Sequence, residues 1–453
     1  MFKIRNKEIK SVGFLGVGKS NLGVFKYLSN HAGNISVTVR NNKPQDVGCF
    51  SPSRVFFGKE IYSSIDEDVL FLSPSARRDT PELRAAEEQG VLLFSDAELF
   101  FENTHSDVYA VTGSDGKSTT TYLTAELLKD AYPNSAACGN IGHAMSPFLD
   151  SADTSAYVTE LSSFQLNYMK PKSERCVITN VTENHLNWHT SFDEYINAKR
   201  NVLEFGKNRI INYDCEISRG FIRDFDIFAV FSLENDEKAL RNAVKAELYL
   251  TLTDEKITVS GEPILNTSDI KLRGRHNLLN FMSSMALCHG LYKKESLLRL
   301  ANDFGGLPHR CEYLGALNGV GYYNSSIDSS PKRCAATLGM LDGSLIVILG
   351  GRSKGLDFSP LVPLLQKKAK HAIIMGECAK EIKECIISNN KSAATPISYT
   401  LIEDFYEAVD YAEHISERGD KVVLSPAATS YDCFANFEER GNAFKMFLKS
   451  KGI

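Results

Sequence analysis

Four apolar runs separated by polar, helix-patterned stretches open the chain: Val12–Leu15, Ile35–Val39, Val69–Leu72 and Val91–Phe94. Short unbroken apolar runs bounded by polar residues are the pattern of parallel strands covered on both faces. A second set begins near Thr104, where Val108–Thr112 leads straight into a glycine-bearing loop and a helical stretch from about Thr119 to Lys129. A third alternation follows Pro308-His309-Arg310, with strands expected at Leu345–Leu349, Ala372–Met375 and Val422–Leu424. The pattern predicts an α/β protein of three domains in series, 1–104, 105–310 and 311–453, without an internal repeat or a long linker.

Length agrees with this, because 453 residues exceed what one hydrophobic core supports. The apolar runs are too short for a membrane span of about 20 residues. A net charge of −5, from 51 basic and 56 acidic residues, lacks the basic excess that binding to nucleic acid requires. The first residues, Met1-Phe2-Lys3-Ile4-Arg5-Asn6-Lys7, are not followed by the apolar run of a secretory signal. Ten cysteines with no Cys-x-x-Cys pair suit free thiols in a reducing compartment. A soluble, cytoplasmic monomer with no nucleic-acid or membrane partner is the expectation.

Chemistry enters at Thr112-Gly113-Ser114-Asp115-Gly116-Lys117-Ser118-Thr119, between the strand and the helix. Glycines let backbone N–H groups approach a polyphosphate, Lys117 brings charge to the β and γ oxygens, Ser118 can ligate Mg²⁺, and the helix N-terminus favours an anion. Gly113, Ser114, Asp115, Gly116, Lys117, Ser118 and Thr119 are therefore the candidate ATP-phosphate contacts. The loop is shorter than the general P-loop: Val111 stands where the first glycine would be, and Gly113 lies only three before Gly116. A weaker glycine signal, Gly16-Val17-Gly18-Lys19-Ser20-Asn21, follows the first strand. It departs from a dinucleotide fingerprint, because Asn21 replaces the third glycine and the second strand ends in Arg40-Asn41-Asn42 with no acid for a ribose.

The short loop resembles that of the Mur ligase superfamily, which also includes folylpolyglutamate synthetases. The resemblance extends through Gly139-Asn140-Ile141-Gly142, Glu160–Leu166, Thr179–Leu186, Tyr195–Lys199, Gly274–Asn280, Gly306–Arg310, Gly350–Gly355 and Leu424–Ala427. Ser430–Gly441 is similar to the D-glutamate-adding branch in particular. The resemblance implies a Rossmann-like N-terminal domain, a central P-loop ATPase-like parallel sheet and a Rossmann-like C-terminal domain. It also implies an ATP-dependent ligase that joins D-glutamate to UDP-N-acetylmuramoyl-L-alanine through an acyl phosphate, in peptidoglycan precursor synthesis. An alternative is a sibling ligase adding another amino acid, and a third is a UDP-sugar-binding protein with degraded catalysis.

Roles follow by resemblance. Lys117, Glu160, His185, Lys199 and Arg310 would be catalytic, with Ser118, Glu160, His185 and Lys199, as a carbamate formed from CO₂, supporting two Mg²⁺ ions. Asn277, Asn280, His309 and Arg310 would meet ATP. Gly16, Gly18, Ser20, Asn21, Asn140 and Ser162 would meet the UDP-sugar, while Ser329, Lys354, Ser430 and Phe437 would hold D-glutamate. Taken singly, His185 reads as a structural histidine, Lys199 as a solvated helix lysine, Phe437 as core and Lys354 as surface.

The chain departs from the family pattern in three places. Ser325 stands where an aspartate would meet the ATP ribose, with Asp328 three residues on, across a turn. His185-Leu186-Asn187-Trp188-His189 replaces a His-Leu-Asp-Arg-His run. Arg40-Asn41 lacks the acid at the uracil side.

Overall fold

The computed structural model describes residues 2–42, 47–151, 154–186, 188–352, 355, 357–391 and 396–453. They form two compact units, 1–304 and 305–453. The first carries two large sheets and the second carries one.

In the first unit a five-stranded parallel sheet has the order Arg54–Phe57, Ser36–Asn41, Ser11–Leu15, Val69–Leu72, Leu92–Phe94. Val69–Leu72 is buried at every position, as its unbroken apolar run requires. Phe14 stacks on Phe71 at 5.8 Å, and Phe71 meets Phe94 edge-on at 5.8 Å, so aromatic rings fill one layer of this core.

The nine-stranded sheet, Asp107 to Asn266, contains seven parallel strands and an antiparallel hairpin edge, Lys256–Val259 and Glu262–Asn266. Its strand Asp107–Thr112 lies between Ala156–Glu160 and Lys172–Ile178. From Asp107–Thr112 the chain runs to the edge strand Ala136–Gly139, returns inward as Ala156–Glu160, and then crosses to the other side at Lys172–Ile178. In an open α/β sheet the usual ligand position is at such a reversal, outside the carboxyl ends of the strands. The registers Glu160↔Val111 and Ile178↔Thr112 put Glu160 and Thr179 level with the glycine loop.

Helices are placed by their caps. Ser95 accepts from the Glu98 N–H at the start of Asp96–Asn103, and Ser191 accepts from the Glu194 N–H at the start of Phe192–Glu204. Buried Asp96 accepts from the Met145 and Ser146 N–H groups, each at 2.8 Å, and so ties the helix after the first sheet to the second sheet. Burial raises the pKa of this carboxyl.

The second unit has a six-stranded sheet in the order Glu312–Leu317, Val320–Asn324, Lys421–Leu424, Leu345–Gly350, Ala369–Met375, Tyr399–Leu401, parallel except for its first strand. Among the described residues no helix is long and apolar enough to cross a membrane.

Candidate active site

The glycine loop after Thr112 is braced from outside. Asn180 Oδ1 accepts from the Ser114 N–H at 3.1 Å and the Asp115 N–H at 2.8 Å, and Thr179 Oγ1 donates to Asp115 O at 2.6 Å. Ser114 Oγ bonds Tyr195 Oη at 2.7 Å and Thr182 O at 3.0 Å. Both glycines are required by their neighbours. A Cβ on Gly113, at φ +154°, would lie 1.8 Å from Thr179 Oγ1, and one on Gly116, at φ +78°, would lie 2.2 Å from Asn280 Oδ1.

Gly116 precedes the helix Lys117–Leu128, whose first turn contains Ser118 and Thr119. Lys117 Nζ donates to Gly113 O and Ser114 O, both at 2.9 Å, so the ammonium folds back over the loop. Asn280 and Asn277 are buried one turn apart on Arg275–Leu287; Asn280 Nδ2 donates to Asn277 Oδ1 at 3.1 Å, and Thr120 Oγ1 donates to Asn280 Oδ1 at 3.3 Å. Asn280 thereby packs the helix Arg275–Leu287 against the glycine loop.

Beneath the loop lies Lys199, only 1% exposed, where a solvated helix lysine would be the reading of the residue alone. Its Nζ donates to Gly113 O at 2.6 Å and sits 4.6 Å from the centre of the Tyr195 ring. Burial drives its pKa well below the usual lysine value, and the Lys117 charge adds to this, while Asp115 and Glu160 oppose it.

Glu160 is 1% exposed at the end of Ala156–Glu160. Its Oε1 accepts from Asn140 Nδ2 at 2.7 Å, but buried Oε2 has no hydrogen-bond partner. A buried carboxylate oxygen left bare is costly unless a cation or donor joins it. Among the described residues no three His, Cys, Asp or Glu side chains cluster as a metal cage. One carboxylate and the Ser118 hydroxyl beside a phosphate loop nonetheless suit Mg²⁺, which takes few protein ligands and completes its shell with phosphate and water.

His185 is an exposed turn residue at φ +55°, its ring 4.9 Å from Phe164. Sequence reasoning assigned nothing to His189, which is 2% exposed and bonds Ser163 Oγ at 3.0 Å. Burial lowers its pKa to about 4; the Glu194 charge opposes the shift, and the charges of Arg77, His185 and Lys199 reinforce it, so the ring is neutral near pH 7. Ser162 caps the short helix Ser163–Leu166 reciprocally with Gln165.

At the first glycine turn, Gly16 has φ +88° and donates to Arg40 O at 2.8 Å. Gly18 precedes the helix Lys19–His31, with open space where a Cβ would be, and Ser20 is half-buried in its first turn. Asn21 is fully buried, its amide donating to Leu15 O, Gly16 O and Phe71 O at 3.0, 2.8 and 3.3 Å. Those donors hold the turn together. Nearby Arg40 is also buried, paired with Glu67 at 2.7 Å and donating to three carbonyls of residues 61–64.

In the second unit, buried His309 bonds Asn324 Nδ2 through Nδ1 at 3.0 Å and meets the Phe437 ring edge-on at 6.1 Å. Arg310 is exposed. Ser430 is buried, its carbonyl accepting from the Phe434 N–H at 2.8 Å, and the half-buried Ser329 donates from its N–H to Ile327 O at 2.7 Å. A residue without an assigned role joins these segments: buried Arg440 donates to Ser326 Oγ, Ser326 O and Ala428 O at 3.0, 2.9 and 3.1 Å. Burial lowers its pKa to about 10.

Ser325 is buried, its hydroxyl 3.2 Å from Thr337 Oγ1 and accepting from the Cys311 N–H at 3.1 Å. Asp328, across the turn as the sequence suggests, donates from its N–H to Ser325 O at 2.9 Å, and its carboxylate joins the same buried hydroxyl cluster. Lys354 and Asn187 lie outside the described residues.

A phosphate loop braced at the switch point of a parallel sheet, with a bare buried carboxylate and a buried amine against it, defines a phosphate-handling α/β enzyme. Comparison with known proteins narrows this class. The Mur ligase middle domain matches residues 111–288. A UDP-N-acetylmuramoylalanine–D-glutamate ligase of Clostridium botulinum is 33% identical, with 98% of this chain and 97% of that protein covered. A protein of the same name from Acetivibrio thermocellus is 34% identical, with 99% and 97% covered. Among solved structures, a UDP-N-acetylmuramate–alanine ligase from Thermotoga maritima shares the fold with a TM-score of 0.57 at 17% identity, over 97% of this chain and 99% of that one. A pseudomurein peptide ligase type C from Methanothermus fervidus does so with a TM-score of 0.54 at 15% identity, over 98% and 100%. The chain belongs to the Mur ligase family. It is a ligase of peptidoglycan synthesis, in a family that depends on ATP and Mg²⁺.

Proposed function

We propose that the protein adds D-glutamate to UDP-N-acetylmuramoyl-L-alanine in the cytoplasm, as a monomer, releasing ADP and phosphate. The observation that carries this reading is the convergence of the 113–118 loop, Glu160 and Lys199 at one strand edge. The substrate carboxylate attacks the γ-phosphorus of ATP and ADP leaves; the D-glutamate amine then attacks the acyl carbon, loses a proton, and expels phosphate. Lys117 and the loop N–H groups neutralise and orient the transferring phosphoryl group. Mg²⁺ held by Glu160 and Ser118, with a second ion near His185, would supply further charge neutralisation at the phosphates.

Lys199 is suited to carbamylation, because its low pKa leaves a lone pair that can bond to the carbon of CO₂ with loss of a proton. The resulting anion would lie among Lys117 and the metal-holding groups. Lys199→Ala should lower turnover about 10–100-fold, with part of the loss restored by a short carboxylic acid in the buffer. Absence of rescue by every such acid would count against the carbamate.

Three domains, 1–104, 105–310 and 311–453, would present UDP-sugar, ATP and amino acid respectively; one large sheet in each segment supports this division. Gly16, Gly18, Ser20, Asn21, Asn140 and Ser162 serve the UDP-sugar; Asn277, Asn280, His309 and Arg310 serve ATP; Ser329, Lys354, Ser430 and Phe437 serve D-glutamate. ADP release with Mg-ATP and UDP-N-acetylmuramoyl-L-alanine, compared across D-glutamate, L-glutamate and other amino acids, tests the assignment. Dependence on D-glutamate with the matching mass gain supports it, dependence on another amino acid moves the protein to a sibling activity, and silence with all of them refutes catalysis.

A further inference from the structure

Trp188, where the family run has arginine, joins the two sheets of the first unit. Its indole Nε1 donates to Ser75 O at 2.8 Å, and its ring lies 4.6 Å from Phe164, which in turn meets His185. Arg77 completes the contact from the other side. Its guanidinium lies 4.9 Å from the Trp188 ring, donates to Trp188 O at 2.6 Å, and pairs with Glu194 at 3.0 Å and Asp79 at 2.6 Å. Glu194 is in the first turn of the helix that carries Lys199.

At the other end, the 73–77 segment rests on the first glycine turn. Ser73 N–H donates to Leu15 O at 2.9 Å, and a Cβ on Gly16 would lie 3.0 Å from Ser73 Oγ. Contacts therefore run without a gap from the Gly16 turn through Ser73, Ser75, Arg77 and Trp188 to the His185 loop and the Lys199 helix. A guanidinium that stacks on an aromatic ring while pairing with carboxylates fixes orientation as well as distance.

We propose that Arg77 and Trp188 are positioning residues for the UDP-sugar: they set the separation between the turn that holds its diphosphate and the loop where its carboxylate reacts. This rests on the reading that the UDP-sugar spans from Gly16–Asn21 to the phosphate loop. A ligand held at both ends is sensitive to that separation, whereas ATP, which does not reach the Gly16 turn, is not. Misplacement on the scale of 1 Å is enough to cost orders of magnitude in rate.

The chain has one tryptophan, so its emission reports this contact directly. Wild-type emission should change as UDP-N-acetylmuramoyl-L-alanine is titrated without ATP, with the same midpoint as binding heat measured by calorimetry. Arg77→Met should raise the KM for the UDP-sugar about tenfold while the KM for ATP moves less than about twofold, the size expected on losing one charge-assisted contact. Arg77→Lys, which keeps the Glu194 pair, should recover part of the loss, and Trp188→Phe should show the same split in smaller degree. A fall in melting temperature with both KM values unchanged, or an equal rise in both, would overturn the proposal. So would binding heat without an emission change. If Arg77→Met does not fold, Trp188→Phe and the emission titration still decide. Failure of the ligase reading looks different: the wild type would show no amino-acid-dependent ADP release at all.

Discussion

The two glycine turns of the first unit share a local plan and differ in what surrounds them. Each follows a buried parallel strand, has a glycine at positive φ and leads into a helix. Around Gly18 there is open space, and the turn is stitched from within by Asn21. The Gly113–Gly116 loop is instead gripped from outside by Thr179, Asn180, Tyr195 and Asn280, with two lysines donating to the Gly113 carbonyl. An open turn can accept a bulky ligand with little reorganisation. A gripped and charge-loaded loop holds phosphate in one geometry, as phosphoryl transfer demands.

The largest expected contrast comes from charge. Lys117→Ala should reduce ADP formation by about 10²–10³-fold while calorimetric UDP-sugar binding stays near wild type; loss of both would merge the two turns into one site. Glycine substitution gives the next. Gly113→Ala, strained in φ and overlapping Thr179, should lower turnover about 10²-fold, whereas Gly18→Ala, which meets no protein atom, should change turnover at saturating substrate less than about twofold and act instead on the KM for the UDP-sugar. Parallel steady-state kinetics on the two variants would read the difference, and equal damage would erase it.

Asn21→Ala should act on folding more than on chemistry, lowering unfolding free energy by about 1–3 kcal/mol for the buried amide hydrogen bonds it removes, as measured by urea titration. The smallest effect concerns the link between the sheets. Burial tends to raise the Glu194 carboxyl, but hydrogen bonds from Arg77 and Thr190 and the Arg77 charge outweigh it and hold the pKa at about 2. A depressed folded-state pKa stabilises above the unfolded value of 4.5 and loses that contribution as pH falls toward about 2. The stability gap between wild type and Glu194→Gln should therefore be full at pH 7 and close across that acid window.

Much of this was legible in the chain. Apolar runs marked strands in all three large sheets because parallel strands are buried on both faces, and Gly-Lys-Ser after such a run led to the loop that Thr179, Asn180 and Tyr195 grip. Side chains whose role depends on a distant partner were harder to read. Lys199 looks like any helix lysine until the fold buries it under Gly113 O. The sequence does not show that the Asn21 amide engages three carbonyls, one of them on Phe71, or that Asp328 and Ser325 share one buried hydroxyl cluster. Arg77 carries no local signal, and Arg440, though inside Ser430–Gly441, shows no role of its own in the sequence, since their partners Trp188 and Ser326 lie far away along the chain.

The central claim is that the substrate carboxylate takes the γ-phosphoryl group at the gripped loop before D-glutamate attacks. Its most direct test uses UDP-N-acetylmuramoyl-L-alanine with ¹⁸O in the alanyl carboxylate, followed by mass analysis of the phosphate released with Mg-ATP and D-glutamate. One ¹⁸O atom transferred to each phosphate is the predicted result; phosphate free of label, formed alongside the amide product, would contradict the account.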